Sequence, residues 1–143
     1  MRLLGFIATI ALLSACERVD FEKRKGLSLT DRALAVQTLR VNNAAINAGD
    51  MALFERTFHD IAPNLEAIIE TTRFSIEKHA PKVSISDVAT VYESPNQIIL
   101  EFTRNVQSND TKPGGATVRM RATLLRSGDG WGIAVMGPIG TVR

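Results

Sequence analysis

At Pro81 the apolar residues of this 143-residue chain change period, from the three-to-four spacing of a helix to the alternation of a strand, and the helical spacing does not return. Helices first and strands afterwards leave few architectures open. The strands must pair with one another through short turns, so the sheet is antiparallel, and the helices must cover one of its faces, an α+β domain. About 150 residues per domain leaves room for one such unit.

In the helical half, residues 30–48 place Leu34, Ala35, Leu39, Val41, Ala45, Ile46 and Ala48 in one arc, with Arg40, Asn43 and Asn47 opposite. Asn42 falls inside the apolar arc. Ser28 or Thr30 suits the N-cap and Gly49 the stop. Asp50 caps a short helix expected over residues 51–59, which buries Leu53, Phe54 and Phe58. Pro63 suits the first turn of a third helix reaching about residue 79, with Leu65, Ile68, Ile69, Thr72 and Ile76 on its buried face. Beyond Pro81 four strands are expected, over residues 83–92, 97–107, 116–126 and 131–136. The turns between them carry Ser94-Pro95-Asn96, Asn109-Asp110 with Pro113-Gly114-Gly115, and Gly128-Asp129-Gly130.

The front of the chain is of a different kind. Met1-Arg2 precede an 11-residue apolar run, Leu3 to Leu13, and the small residues Ser14 and Ala15. A bilayer-spanning helix takes about 20 apolar residues, so this run is too short for a permanent span and reads as a signal peptide. Leu13-Ser14-Ala15-Cys16 resembles the lipobox of bacterial lipoproteins at all four positions. The resemblance implies cleavage before Cys16, lipid on its sulfur and acylation of the new amine. Cys16 is the chain's one cysteine, which excludes an internal disulfide, thiolate zinc clusters and CxxC redox chemistry. Two or three acyl chains at about 0.8 kcal/mol per buried methylene hold a protein on the membrane lastingly.

Residues 1–15 are therefore expected to be the signal peptide, 16–28 the lipidated cysteine and a charged tether, and 29–143 the folded domain. The twelve residues 17–28 extend to about 40 Å. In lipoproteins of the Gram-negative envelope Asp after the cysteine favours the inner membrane. Glu17 therefore leans toward the outer membrane, with the domain in the periplasm.

A second resemblance lies further on. Residues 41–54, VNNAAINAGDMALF, are similar to the helix break near the start of nuclear transport factor 2-like (NTF2-like, SnoaL-like) domains, and Gly128-Asp129-Gly130-Trp131-Gly132-Ile133 resembles their last hairpin. The likeness implies N-terminal helices packed on a four-stranded, curved antiparallel sheet, an NTF2-like or cystatin-like fold. Such domains place a strand or hairpin between their second and third helices, where this chain has only residues 59–62. That departure points to a reduced, cystatin-like relative.

Two charges interrupt the alternating apolar rows. Arg104 shares a face with Ile98, Leu100, Phe102 and Val106, and Asp87 shares one with Val83, Ile85, Ala89 and Val91. A turn centred near Pro95 sets Asp87 roughly opposite Arg104. The two are either an ion pair or the polar floor of a ligand pocket. The NTF2-like resemblance implies a pocket between helices and concave sheet, so Asn42, Asp87 and Arg104 are the candidates to line it, with Tyr92 and Trp131 as walls. Ketosteroid isomerases of that superfamily use a tyrosine and two aspartates. Here Tyr92 is the one tyrosine and Asp87 has no second inward aspartate.

No HExxH, P-loop, GxSxG or metal-spaced cluster occurs, so no catalytic residue, metal or cofactor is expected. A formal charge of +2 is too balanced for a nucleic-acid coat. Arg119 and Arg121 are explained by cross-strand partners Thr103 and Glu101 in a hairpin centred on Thr111. The function expected is that of an envelope lipoprotein whose domain binds, without catalysis, another envelope protein, a second copy or a small apolar ligand. An enzyme using the helix–sheet pocket, and an accessory subunit of a secretion or transfer machine, are the alternatives. The outer sheet face, with Ile99, Leu125 and Met136 among polar residues, permits a partner.

Overall fold

The computed structural model describes residues 28–108 and 115–140. Cys16, the signal peptide and most of the tether lie outside the described residues. Three helices, α1 (Leu29–Ala48), α2 (Met51–Arg56) and α3 (Leu65–His79), precede four strands, β1 (Lys82–Glu93), β2 (Gln97–Gln107), β3 (Ala116–Ser127) and β4 (Gly130–Pro138). All neighbouring strands pair antiparallel in the order β1-β2-β3-β4. This is the expected α+β meander.

α1 starts where Ser28 Oγ accepts the Asp31 N–H at 3.1 Å and ends at Gly49, whose φ of 67° is the left-handed conformation glycine adopts without strain. It is fastened to the sheet at both ends. At the start, Arg32 Nε donates to Glu93 at 2.6 Å and Arg126 donates to Asp31 at 3.2 Å. At the other end Asn47 imitates a strand: its Oδ1 accepts from Val83 N–H at 2.7 Å and its Nδ2 donates to Val83 C=O at 2.9 Å. α1 therefore lies along the concave face over Leu100 and Phe102, which are fully buried with Ala35 and Leu39. Burial of such a row is the main stabilising term, at about 25 cal/mol per Å² of apolar surface. A second, smaller cluster joins Ala45, Ile46, Phe54 and Val83.

The helical half departs from expectation in four places. α2 ends at Arg56, three residues early, because the chain straightens to pair with β4: Ile133 N–H donates to Thr57 C=O and His59 N–H to Ile133 C=O, each at 2.9 Å. The contact is an isolated parallel bridge of Phe58 with Ile133, not a strand. Asn43, expected to face solvent, is buried and donates to the Leu39 carbonyl of the preceding turn. α3 begins at Leu65, after Asn64 in the left-handed conformation, so Pro63 precedes the helix. No residue of α3 is fully buried, since only Ile69 and Ile76 reach the smaller cluster; Ile68 is 37% exposed and Phe74 59%.

β-Bulges redistribute the faces of the edge strands. In β1 the register slips between Ser86 and Ala89 and again between Thr90 and Tyr92. Asp87 sits in the first slip with φ 52°, Val88 turns inward, and Val91 is 50% exposed where a core position was expected. In β4 a slip between the Thr123 and Leu124 pairings sends Val135 outward and turns Met136 onto the core, the reverse of the expected alternation. The outer row across the sheet is Tyr92, Ile99, Thr123 and Val135.

Candidate functional site

Among the described residues the concave face of the sheet carries three ionisable side chains beneath the helices. Two lie at the N-terminal end of α1 and are neutralised: Glu93 by Arg32, and Arg126 by Asp31. Each arginine holds its carboxyl below the ordinary carboxylate range, chiefly by the side-chain hydrogen bond it donates. Arg126 also lies over the Trp131 ring at 4.6 Å.

The third is Arg104. β2 presents it in line with Leu100 and Phe102, and its register partners are Ile85 on β1 and Val118 on β3. The expected facing with Asp87 does not form. An unbulged hairpin would set Asp87 against Arg104, but each slip in β1 moves the pairing by one residue, so two slips bring Ile85 there instead. Asp87 is exposed, and its backbone carbonyl accepts from Arg119 at 3.1 Å. Among the described residues no carboxylate lies within 4 Å of Arg104. Its Nη2 donates to Met136 Sδ at 3.6 Å, a weak acceptor, and its buried Nε has no partner. Burial pulls the guanidinium below its ordinary range.

The remaining candidates are not gathered around it. Asn42 is fully buried, but its Nδ2 donates to Thr57 Oγ1 at 2.8 Å, so it ties α1 to the end of α2. Tyr92 is 50% exposed, in the outer row. Trp131 is buried with Nε1 unpartnered, and it lines a separate, mainly apolar groove of about 260 Å³ with Leu34, Val41 and Leu53. Sequence reasoning missed Met136 as the neighbour of Arg104, because the bulge in β4 is what turns it inward. Among the described residues no group of three or more His, Cys, Asp or Glu could hold a metal ion, and no helix is long and apolar enough to cross a membrane.

The domain superposes on solved structures of other proteins. A protein of unknown function with a cystatin-like fold from Nostoc punctiforme superposes with a TM-score of 0.68 at 10% identity, over 78% of this chain and 91% of that one. A candidate dehydratase from the NTF2-like family of Streptomyces avermitilis gives 0.65 at 14% identity, over 78% and 98%. The domain has the NTF2-like, cystatin-like fold. A candidate aromatic ring hydroxylase from Novosphingobium aromaticivorans matches the NTF2-like domain as well, with a TM-score of 0.66 at 12% identity over 80% and 92%. Neither a protein-family profile nor a curated protein sequence matches the chain. At these identities the likeness carries the NTF2-like architecture and no activity.

Proposed function

We propose that this chain is a bacterial envelope lipoprotein, anchored by lipid on Cys16 and facing the periplasm from the outer membrane, whose NTF2-like domain is a non-catalytic binding module. The observation that carries the binding reading is Arg104. It is the one ionisable group on the described concave face without a counter-charge, and it stands among apolar side chains. General acid–base chemistry needs a proton donor or acceptor that changes state near the working pH, within hydrogen-bond reach of the substrate. An arginine is a poor candidate for that role, whereas it is well suited to holding an anion. Asp87 and Tyr92, the groups a base or acid would have come from, lie outside the site.

The anchor is supported by the lipobox residues Leu13 to Cys16 and by a tether long enough to stand the domain off a membrane surface. Fractionation of cells expressing wild type and Cys16→Ala tests it: the wild type is expected with the membranes, and the variant in the soluble periplasmic fraction. Mature, signal-cleaved Cys16→Ala protein still in the membrane fraction would defeat the anchor. For the domain, native mass spectrometry of the detergent-extracted protein is expected to find a small molecule that leaves with unchanged mass after prolonged incubation. Conversion of that molecule by the protein alone would show an enzyme.

A further inference from the structure

Four other arginines that sheet strands or α1 direct toward partners all find a carboxylate: Arg32 meets Glu93, Arg126 meets Asp31, and Arg119 and Arg121 share Glu101. These are partly exposed positions, where a free guanidinium would be solvated at little cost. Arg104, half-buried on the core-facing row of β2, has among the described residues only the thioether of Met136 and the Phe102 ring, whose centroid lies 6.0 Å from the guanidinium carbon. Charge is compensated where compensation is worth least, and left uncompensated where it is worth most.

We propose that Arg104 anchors a small organic carboxylate, whose single negative charge lies on the guanidinium and whose apolar body runs along Ile85, Val118 and Met136. This deepens the binding reading and rests on it. A planar carboxylate fits a guanidinium through two parallel hydrogen bonds, here by way of the two Nη groups, since Nε is enclosed as well as unpartnered. Val118, the cross-strand partner of Arg104, is 37% exposed, so the surface is open to solvent beside the guanidinium. The flanking positions argue against inorganic phosphate. Ile85 and Val118 are the register partners on either side and supply neither a second cation nor a side-chain donor, whereas a dianion would leave one charge unmatched. The same side chains give an apolar body a place to exclude water.

The test uses the full chain in lipid nanodiscs, with empty nanodiscs as the blank, and equilibrium dialysis of 3-phenylpropionate and its uncharged isostere 3-phenylpropionamide. Wild type is expected to bind the acid about tenfold more tightly than the amide, as one charge-assisted pair in a partly dry site allows. Arg104→Met is expected to bring the two within about twofold by weakening the acid alone, and Arg104→Lys to restore part of the preference. Circular dichroism checks that each variant is folded. Equal binding of acid and amide by wild type, or a preference that survives Arg104→Met, overturns the carboxylate anchor while leaving the concave-face binding reading intact. Absence of binding of either probe at millimolar concentration, with a co-purified molecule still seen by native mass spectrometry, overturns the anchor and places that molecule elsewhere on the domain.

Discussion

An uncompensated guanidinium inside a fold should be a burden to the empty protein, and Arg104→Met measures that burden. Methionine keeps a linear, unbranched side chain and removes the charge together with the partnerless Nε. Leaving a buried donor unsatisfied costs about 1–3 kcal/mol, and the weak thioether contact of Nη2 returns little of it. The variant is therefore expected to be more stable than wild type by about 1–2 kcal/mol. For a domain of this size that raises the melting temperature by roughly 4–8 °C. Arg32→Met is the control. It breaks a pair whose side chains are 37% and 24% exposed, so it should destabilise by less than about 1 kcal/mol. Trp131 is the one tryptophan and is only 6% exposed, which makes its fluorescence the reporter for denaturant and thermal unfolding. A carboxylate at a fixed concentration should raise the melting temperature of wild type by more than that of the variant. If Arg104→Met lost more than about 1 kcal/mol, the guanidinium would be favourably partnered in the empty protein and the reasoning would be refuted.

Two further outcomes follow from the geometry. Gly132→Ala should destabilise by about 2–3 kcal/mol in equilibrium urea unfolding, because the added Cβ would stand 2.8 Å from the backbone of His59 and force apart the bridge between residues 57–59 and β4; an unchanged midpoint would mean that this bridge contributes nothing. The clamps at the start of α1 set an acid dependence. Asp31 and Glu93 have folded values below their ordinary 3.8 and 4.5, so the stability they contribute is complete above those values and is lost as pH falls through the depressed ones. Asp31→Asn with Glu93→Gln should flatten the fall in stability below pH 4.5, and a double variant as acid-sensitive as wild type would assign that fall to other carboxylates.

The elements were legible because each is set by residues close together in sequence. Ser28 and Gly49 bound α1 through one side-chain hydrogen bond and one left-handed φ, and the Glu101–Arg121 pairing follows from a hairpin whose centre can be counted. Asn42 and Asn43 show where local reasoning fails. Adjacent helical residues point about 100° apart, yet both are buried, because α2 and residues 57–59 wrap a second side of α1 that no periodicity within α1 announces. The same holds for α3, whose apolar stripe was readable but whose shallow packing depends on where α2 stops.

The site turns on a subtler limit. That Arg104 occupies an apolar position is visible from β2 alone, since alternation along one strand decides it. Whether Asp87 neutralises it is a property of the phase between two strands. One bulge in β1 would have reversed the faces of everything beyond it; two restore the faces while sliding the register by two residues, so Ile85 keeps the inward direction the alternation predicted and takes the place Asp87 was counted into. The ion pair that the residues allowed is thus undone by the bulges. They leave the charge where the sequence put it and carry its counter-charge to the surface.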